Sequence, residues 1–173
     1  MLKKWECPVI FLLLLFCACA PFPRQLMKEI DPSIEFRDLQ KDPDAYIGKK
    51  ILLGGVIIDI QNRKEETLLQ VLQTDLDFEK RPIHLDQSLG RFCIRVSGFL
   101  DPAIYRKGRE VTVIGEVVGK EISPIGEVPY TYPVIRAIQI RLWEKRRSAP
   151  PPYPEWFWGW GPYPYRWYWG PPY

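Results

Sequence analysis

Histidine is nearly absent from this 173-residue chain: His84 is the only imidazole. A metal site would have to lean on carboxylates such as Asp77 and Asp86, with no second imidazole or thiolate close in sequence, which is a poor ligand set for zinc. A Ser-His-Asp triad has one arrangement open to it, Ser88 and Asp86 around His84. All three lie in a single polar loop without the strand-to-helix turn that exposes a nucleophile. Cysteine is equally scarce where it would matter, because Cys7, Cys17 and Cys19 crowd the amino end and leave Cys93 without a partner for an intramolecular disulfide. Charge of one sign is missing too. Lys and Arg number 24 against 21 Asp and Glu, a net charge of +3, and the two signs alternate along the chain, which argues against a nucleic-acid partner. No Gly-rich loop follows a strand and opens a helix, so phosphate cradling has no motif and no cofactor is implied. The uncharged stretch from Cys7 to Phe22 falls short of the roughly 20 residues of a spanning helix and is bounded by Pro8, Pro21 and Pro23.

What that amino end does contain is the layout of a bacterial lipoprotein signal. Lys3 and Lys4 precede an apolar run from Val9 to Phe16, and Phe16-Cys17-Ala18-Cys19 follows. Basic residues hold the terminus at an anionic leaflet, the apolar run enters the bilayer, and the small Ala18 fits a peptidase before the cysteine. Phe16 stands where leucine is usual, and Cys17 is the poorer acceptor because Phe16 would then occupy the small position. The expectation is that residues 1–18 are removed and that Cys19 carries a diacylglyceryl thioether and an acylated amino group. Two or more chains anchor stably where one does not. Loss of Lys3, Lys4 and Glu6 leaves the mature chain at +2. By resemblance to enterobacterial lipoproteins, aspartate after the modified cysteine retains a protein at the inner membrane, and Ala20 is not aspartate. The implied partners are the lipoprotein processing and sorting machinery and the outer membrane.

Composition divides the rest into a short lipidated tether (19–32), a β-rich body (33–147) and a tail (148–173) of Pro, Trp, Tyr and Gly. In the body, Phe92, Ile94 and Val96 alternate with polar neighbours, and Ile138, Ile140 and Leu142 with Gln139 and Arg141, the period of half-buried strands. Ile34 to Lys41 is the one helical stretch or turn, stopped at Asp42-Pro43. Gly48, Ile51, Leu53, Gly55 and Ile57 share their spacing with Gly108, Val111, Val113, Gly115 and Val117, an offset of 60 throughout. Gly48 and Gly108 would turn the chain into a strand. Gly55 and Gly115, mid-strand, mark a bulge, a bend or a close backbone approach. Strongly bent strands suit a small closed barrel. Strands near 50–61, 67–75, 91–97, 110–121 and 134–143 give a mainly β, OB-like barrel of five strands, or six, with long loops at Asp77–Gly90 and Ser123–Pro133.

Several of these segments together resemble the Slp family of outer-membrane lipoproteins. They are the Cys19 box, Gly54-Gly55-Val56-Ile57 leading to Thr67-Leu68-Leu69-Gln70-Val71, Gly98-Phe99-Leu100-Asp101-Pro102-Ala103-Ile104-Tyr105, Gly108 through Gly115, Val128-Pro129-Tyr130-Thr131-Tyr132, and Leu142-Trp143. The resemblance implies a lipoprotein facing the periplasm, linked to starvation or envelope stress, with no settled biochemical activity. It assigns nothing to Cys93.

Candidate contacts follow from residue type. Phe99, Tyr105, Tyr130 and Tyr132 flank barrel strands, where they form a ligand groove suited to glycan or fill the barrel ends. Cys93, with Arg91 and Arg95 on its strand face, is either a packing residue or the centre of a rival reading, a periplasmic small-ligand or redox-active protein. The tail holds eight prolines, which exclude a helix, and five tryptophans, Trp156, Trp158, Trp160, Trp167 and Trp169. Those rings would rest in a headgroup layer, bind another envelope protein as an extended ligand, stack on glycan, or form a disordered extension.

Overall fold

The computed structural model describes residues 22–146, so Cys19 and all five tail tryptophans lie outside the described residues. The chain enters through a five-residue helix α1 (Arg24–Lys28), within a segment expected as tether, with Phe22 only 2% exposed. Helix α2 (Phe36–Lys41) follows, then a 3-10 turn at Pro43–Tyr46. Asp42 leaves the helical region at φ −141°, ψ 81°, as a residue before proline must. Five strands complete the chain: β1 (Lys50–Asn62), β2 (Glu66–Gln73), β3 (Arg91–Ser97), β4 (Glu110–Ile125) and β5 (Val128–Leu142). They close a barrel in the order β1-β2-β3-β5-β4, and β4 returns to β1. Every pairing is antiparallel except β3 with β5, where Cys93–Arg95 run alongside Val134–Arg136.

Closure depends on bends at the two mid-strand glycines. Gly55 is where β1 passes from one partner to the other, pairing with Val111 of β4 and Gln73 of β2. A Cβ there would overlap the Leu72 carbonyl oxygen, and one on Gly115 would overlap the Arg136 carbonyl oxygen. Close backbone approach is therefore the reason for both glycines. Gly48 and Gly108, at φ +83° and +85°, make the expected turns into β1 and β4.

Inside the barrel pack Ile51, Ile57, Leu69, Val71, Phe92, Ile94, Val111, Val113, Val117 and Ile135. Helix α2 plugs this core with Phe36 and Leu39, and the Phe36 ring meets Phe92 edge to face at 6.1 Å. Two expectations about β5 need correction. Ile138 does not share the inward face of Ile140 and Leu142: Gly115 opposes Ala137 while Ile114 opposes Gln139, so Ile138 is the extra residue of a bulge and is 45% exposed. Nor is 123–133 a loop. Strands β4 and β5 run on past the barrel as a two-stranded arm that turns at Gly126, with Pro124 opposite Pro129. An arm two strands wide has open edges, and a proline there removes no ladder bond.

Candidate functional site

The alternation that sends Leu69, Val71, Phe92 and Ile94 inward turns Leu68 and Cys93 to the outer face of β2 and β3. The arm covers that face. Tyr132 and Val134 join Leu68 and Cys93 in a second buried cluster, flanked by Val118, Ile125 and Tyr130. The Tyr130 and Tyr132 rings meet edge to face at 4.8 Å, and the Tyr130 hydroxyl accepts a hydrogen bond from the Arg91 N–H at 2.8 Å. Arg63 of the β1–β2 turn reaches Glu121 of the arm at 3.0 Å, and Lys120 reaches Asp44 at 2.6 Å. Tyr132 is 1% exposed. Of the two readings open for these tyrosines, packing is the one the geometry displays: their rings press the arm onto the barrel.

Cys93 lies beneath this arm, 1% exposed. Burial pushes its thiol up to about 12, Glu121 adds to the rise, and Arg63 and Arg95 lower it too little to reverse the direction. A redox-active Cys93 needed a thiolate well below the free-thiol range. Desolvation has moved the group the other way, and the side chain packs with Leu68, Tyr132 and Val134 in the second cluster.

The β3–β4 loop, 98–109, separates the other two aromatic candidates. Tyr105 and Leu100 are partly buried against the core, whereas Phe99 is 73% and Ile104 51% exposed. The loop is held in place. Leu100 donates its N–H to Thr67 Oγ1 at 3.0 Å and accepts from Asn62 Nδ2 at 3.1 Å, and the Ile104 and Tyr105 N–H groups both bond the Asp101 carbonyl.

A polar cluster that residue types alone did not single out joins the β2–β3 loop, the start of β4 and the end of β5. Glu110, 8% exposed, receives Arg81 on one oxygen at 2.6 Å and Arg146 on the other at 2.9 Å. Trp143 Nε1 donates to Thr112 Oγ1 at 2.9 Å, and that hydroxyl donates to the Lys80 carbonyl at 2.7 Å. Arg146 also bonds the Pro82 carbonyl, and the Arg81 and Arg141 guanidinium groups lie over the Trp143 ring at 5.6 and 4.4 Å. The only sequence signal was Leu142-Trp143 at the end of the body. The cluster pins the point from which the tail departs.

The His84 loop closes on itself. His84 sits at φ +50° with Nδ1 3.5 Å from Asp75, Asp77 accepts the Arg81 N–H, and Ser88 Oγ bonds the Gly90 carbonyl. The carboxylate beside His84 is thus Asp75 and not Asp86, and the Ser88 hydroxyl donates to a backbone carbonyl. Among the described residues, no helix is long and apolar enough to cross a membrane.

Against this β framework, residues 16–173 match the model of the outer membrane lipoprotein Slp family. The chain belongs to that family. Among Slp-like relatives, the outer membrane protein Slp of Escherichia coli (strain K12) is 31% identical over 167 residues, 95% of this chain and 88% of the relative. The uncharacterized lipoprotein YeaY of the same organism is 33% identical over 118 residues, 66% of this chain and 61% of its own length. A Haemophilus influenzae protein (strain ATCC 51907 / DSM 11121 / KW20 / Rd) is 29% identical over 139 residues, covering 80% of this chain and 75% of itself. As an Slp-family member the chain is an outer-membrane lipoprotein, associated with the membrane through a lipid anchor.

Proposed function

We propose that residues 1–18 are a cleaved signal, that acyl chains on Cys19 hold the protein on the periplasm-facing side of the outer membrane, and that it works there as a non-enzymatic binding or structural module. The observation that carries this reading is the extent of the family match, which begins at residue 16 and so spans both Cys19 and the aromatic tail. We read the barrel as OB-like. In support, β1 pairs with both β2 and β4, and β3 runs parallel to β5. In OB folds the outer face of strands 2 and 3 and the neighbouring loops receive extended ligands. Here the arm fills that face with Tyr130, Tyr132 and Val134, so ligand contact passes to Phe99 and the tail. The tail would contact an envelope protein or glycan, and the link to starvation or envelope stress comes with the family resemblance.

Cells fed an alkyne fatty acid provide the test of the anchor. The wild-type protein should carry the label on its amino-terminal peptide, and Cys19→Ala should carry none and accumulate as precursor. Label retained by Cys19→Ala would refute the assignment. Crosslinking in intact envelopes, with the tail present or deleted from Ala149, addresses the partner, and loss of a crosslinked neighbour on deletion is the expected result.

A further inference from the structure

Loop 98–109 spends part of its apolar content on folding and leaves the rest outside. Leu100 and Tyr105 pack inward, and each has a neighbour, Phe99 and Ile104, that faces water at 73% and 51% exposure. Looseness does not explain this, because the bonds from Thr67, Asn62 and Asp101 hold the loop's backbone in position. Basic residues flank the exposed pair. Arg106 and Lys107 are exposed, and Arg109 follows them, bonding the Ile104 and Trp143 carbonyls. Against these three cations the loop carries one carboxylate, Asp101, whose oxygen caps the Ala103 N–H. The Arg109 bond also brings the loop beside the exit of β5, where exposed Glu144 and Lys145 add one charge of each sign.

We propose that this loop is an interfacial membrane contact: Phe99 and Ile104 enter the headgroup boundary of an anionic phospholipid leaflet while Arg106 and Lys107 meet its phosphates. Interfacial binding grows with the apolar area buried and with attraction of basic side chains to anionic lipids, and this loop offers both. Each cation near an anionic surface adds affinity that fades within a Debye length, so the charges act only if the domain is held close to the bilayer. The lipid anchor provides that proximity, and the proposal rests on it. The contact would fix which face of the barrel meets the membrane.

The test uses the full-length acylated protein in vesicles, with an environment-sensitive fluorophore on Phe99→Cys and a control fluorophore on Phe78→Cys. Phe78 is 88% exposed on the β2–β3 loop, and native Cys93 is buried from the reagent. In phosphatidylethanolamine vesicles containing phosphatidylglycerol, the label at 99 should be blue-shifted and quenched several-fold more by shallow brominated lipid than the label at 78. Arg106→Glu with Lys107→Glu, or replacement of phosphatidylglycerol by phosphatidylcholine, should abolish most of that difference. Equal quenching at the two positions overturns the proposal. So does quenching at 99 that ignores both the charge reversal and the lipid exchange. Failure of the protein to float with vesicles would instead count against acylation of Cys19, which keeps the two readings separable.

Discussion

At the residue scale, steric exclusion and desolvation decide the outcomes, and neither is a property of one side chain in isolation. Gly55 and Gly115 are required by a neighbouring carbonyl oxygen in each case. Gly55→Val and Gly115→Val should each destabilise the domain by about 1–3 kcal/mol, the usual cost of forcing atoms into filled space. Thermal melting checks this, and two unchanged transitions would show that the strands bend without them. Cys93 provides a pH signature. Its thiol is raised from 9.0 to about 12 in the folded chain, so the folded state holds the proton more tightly than the unfolded one. That contribution is complete below about pH 9 and is lost as pH rises from 9 toward 12. Urea unfolding of wild type and Cys93→Ala should therefore give a stability difference that shrinks over that window. A constant difference would mean that the thiol is not shielded from water.

The arm is the element on which the candidate site turns. Its strands have the alternation of any hairpin: Ile125, Tyr130, Tyr132 and Val134 pack on the barrel, Ile122, 66% exposed, lies on the opposite face, and Val128, equally exposed, sits at the tip of the arm opposite Ile125. Tyr132→Ala should cost about 3–5 kcal/mol, the range for truncating a buried aromatic. It should also let a thiol reagent reach Cys93 in the folded protein, at a rate that wild type reaches only on unfolding. Slow labelling of the variant would show that other contacts hold the arm down. Phe22 and helix α1 follow a similar logic at the amino end, where a stretch that reads as polar tether contributes a buried ring.

For the whole molecule, the boundary of the folded unit is set by the Glu110 cluster and not by the point where composition changes. Arg146 and Trp143 belong to that cluster, so truncation after residue 147 keeps the bonds and should leave the melting temperature nearly unchanged. Truncation after Leu142 removes Trp143 Nε1 and the Arg146 guanidinium together. It leaves Thr112 and the buried Glu110 short of partners and should lower the midpoint by several degrees. Equal melting of the two truncations would place the cluster outside the cooperative unit. A large loss on removing only the tail would mean that its rings pack against the barrel.

Much of this protein is local in origin and was legible without coordinates. Period-two alternation, turn glycines and Asp42-Pro43 are short-range effects, and they placed the five strands and the end of α2 within a few residues, with the exception of the arm. The paired glycine spacing also announced a closed, bent sheet. Tertiary structure decided which way the rest would face. A single bulge at Ile138 reversed the phase of β5, because a period of two carries no memory across an inserted residue. Tyr130, Tyr132 and Cys93 read equally well as ligand contacts, reactive groups or packing until the arm closed over them. Burial and the resulting thiol shift are set by what lies on top of a residue, and that covering came from the far end of β4 and β5, about 40 residues away along the chain from Cys93 to Tyr132.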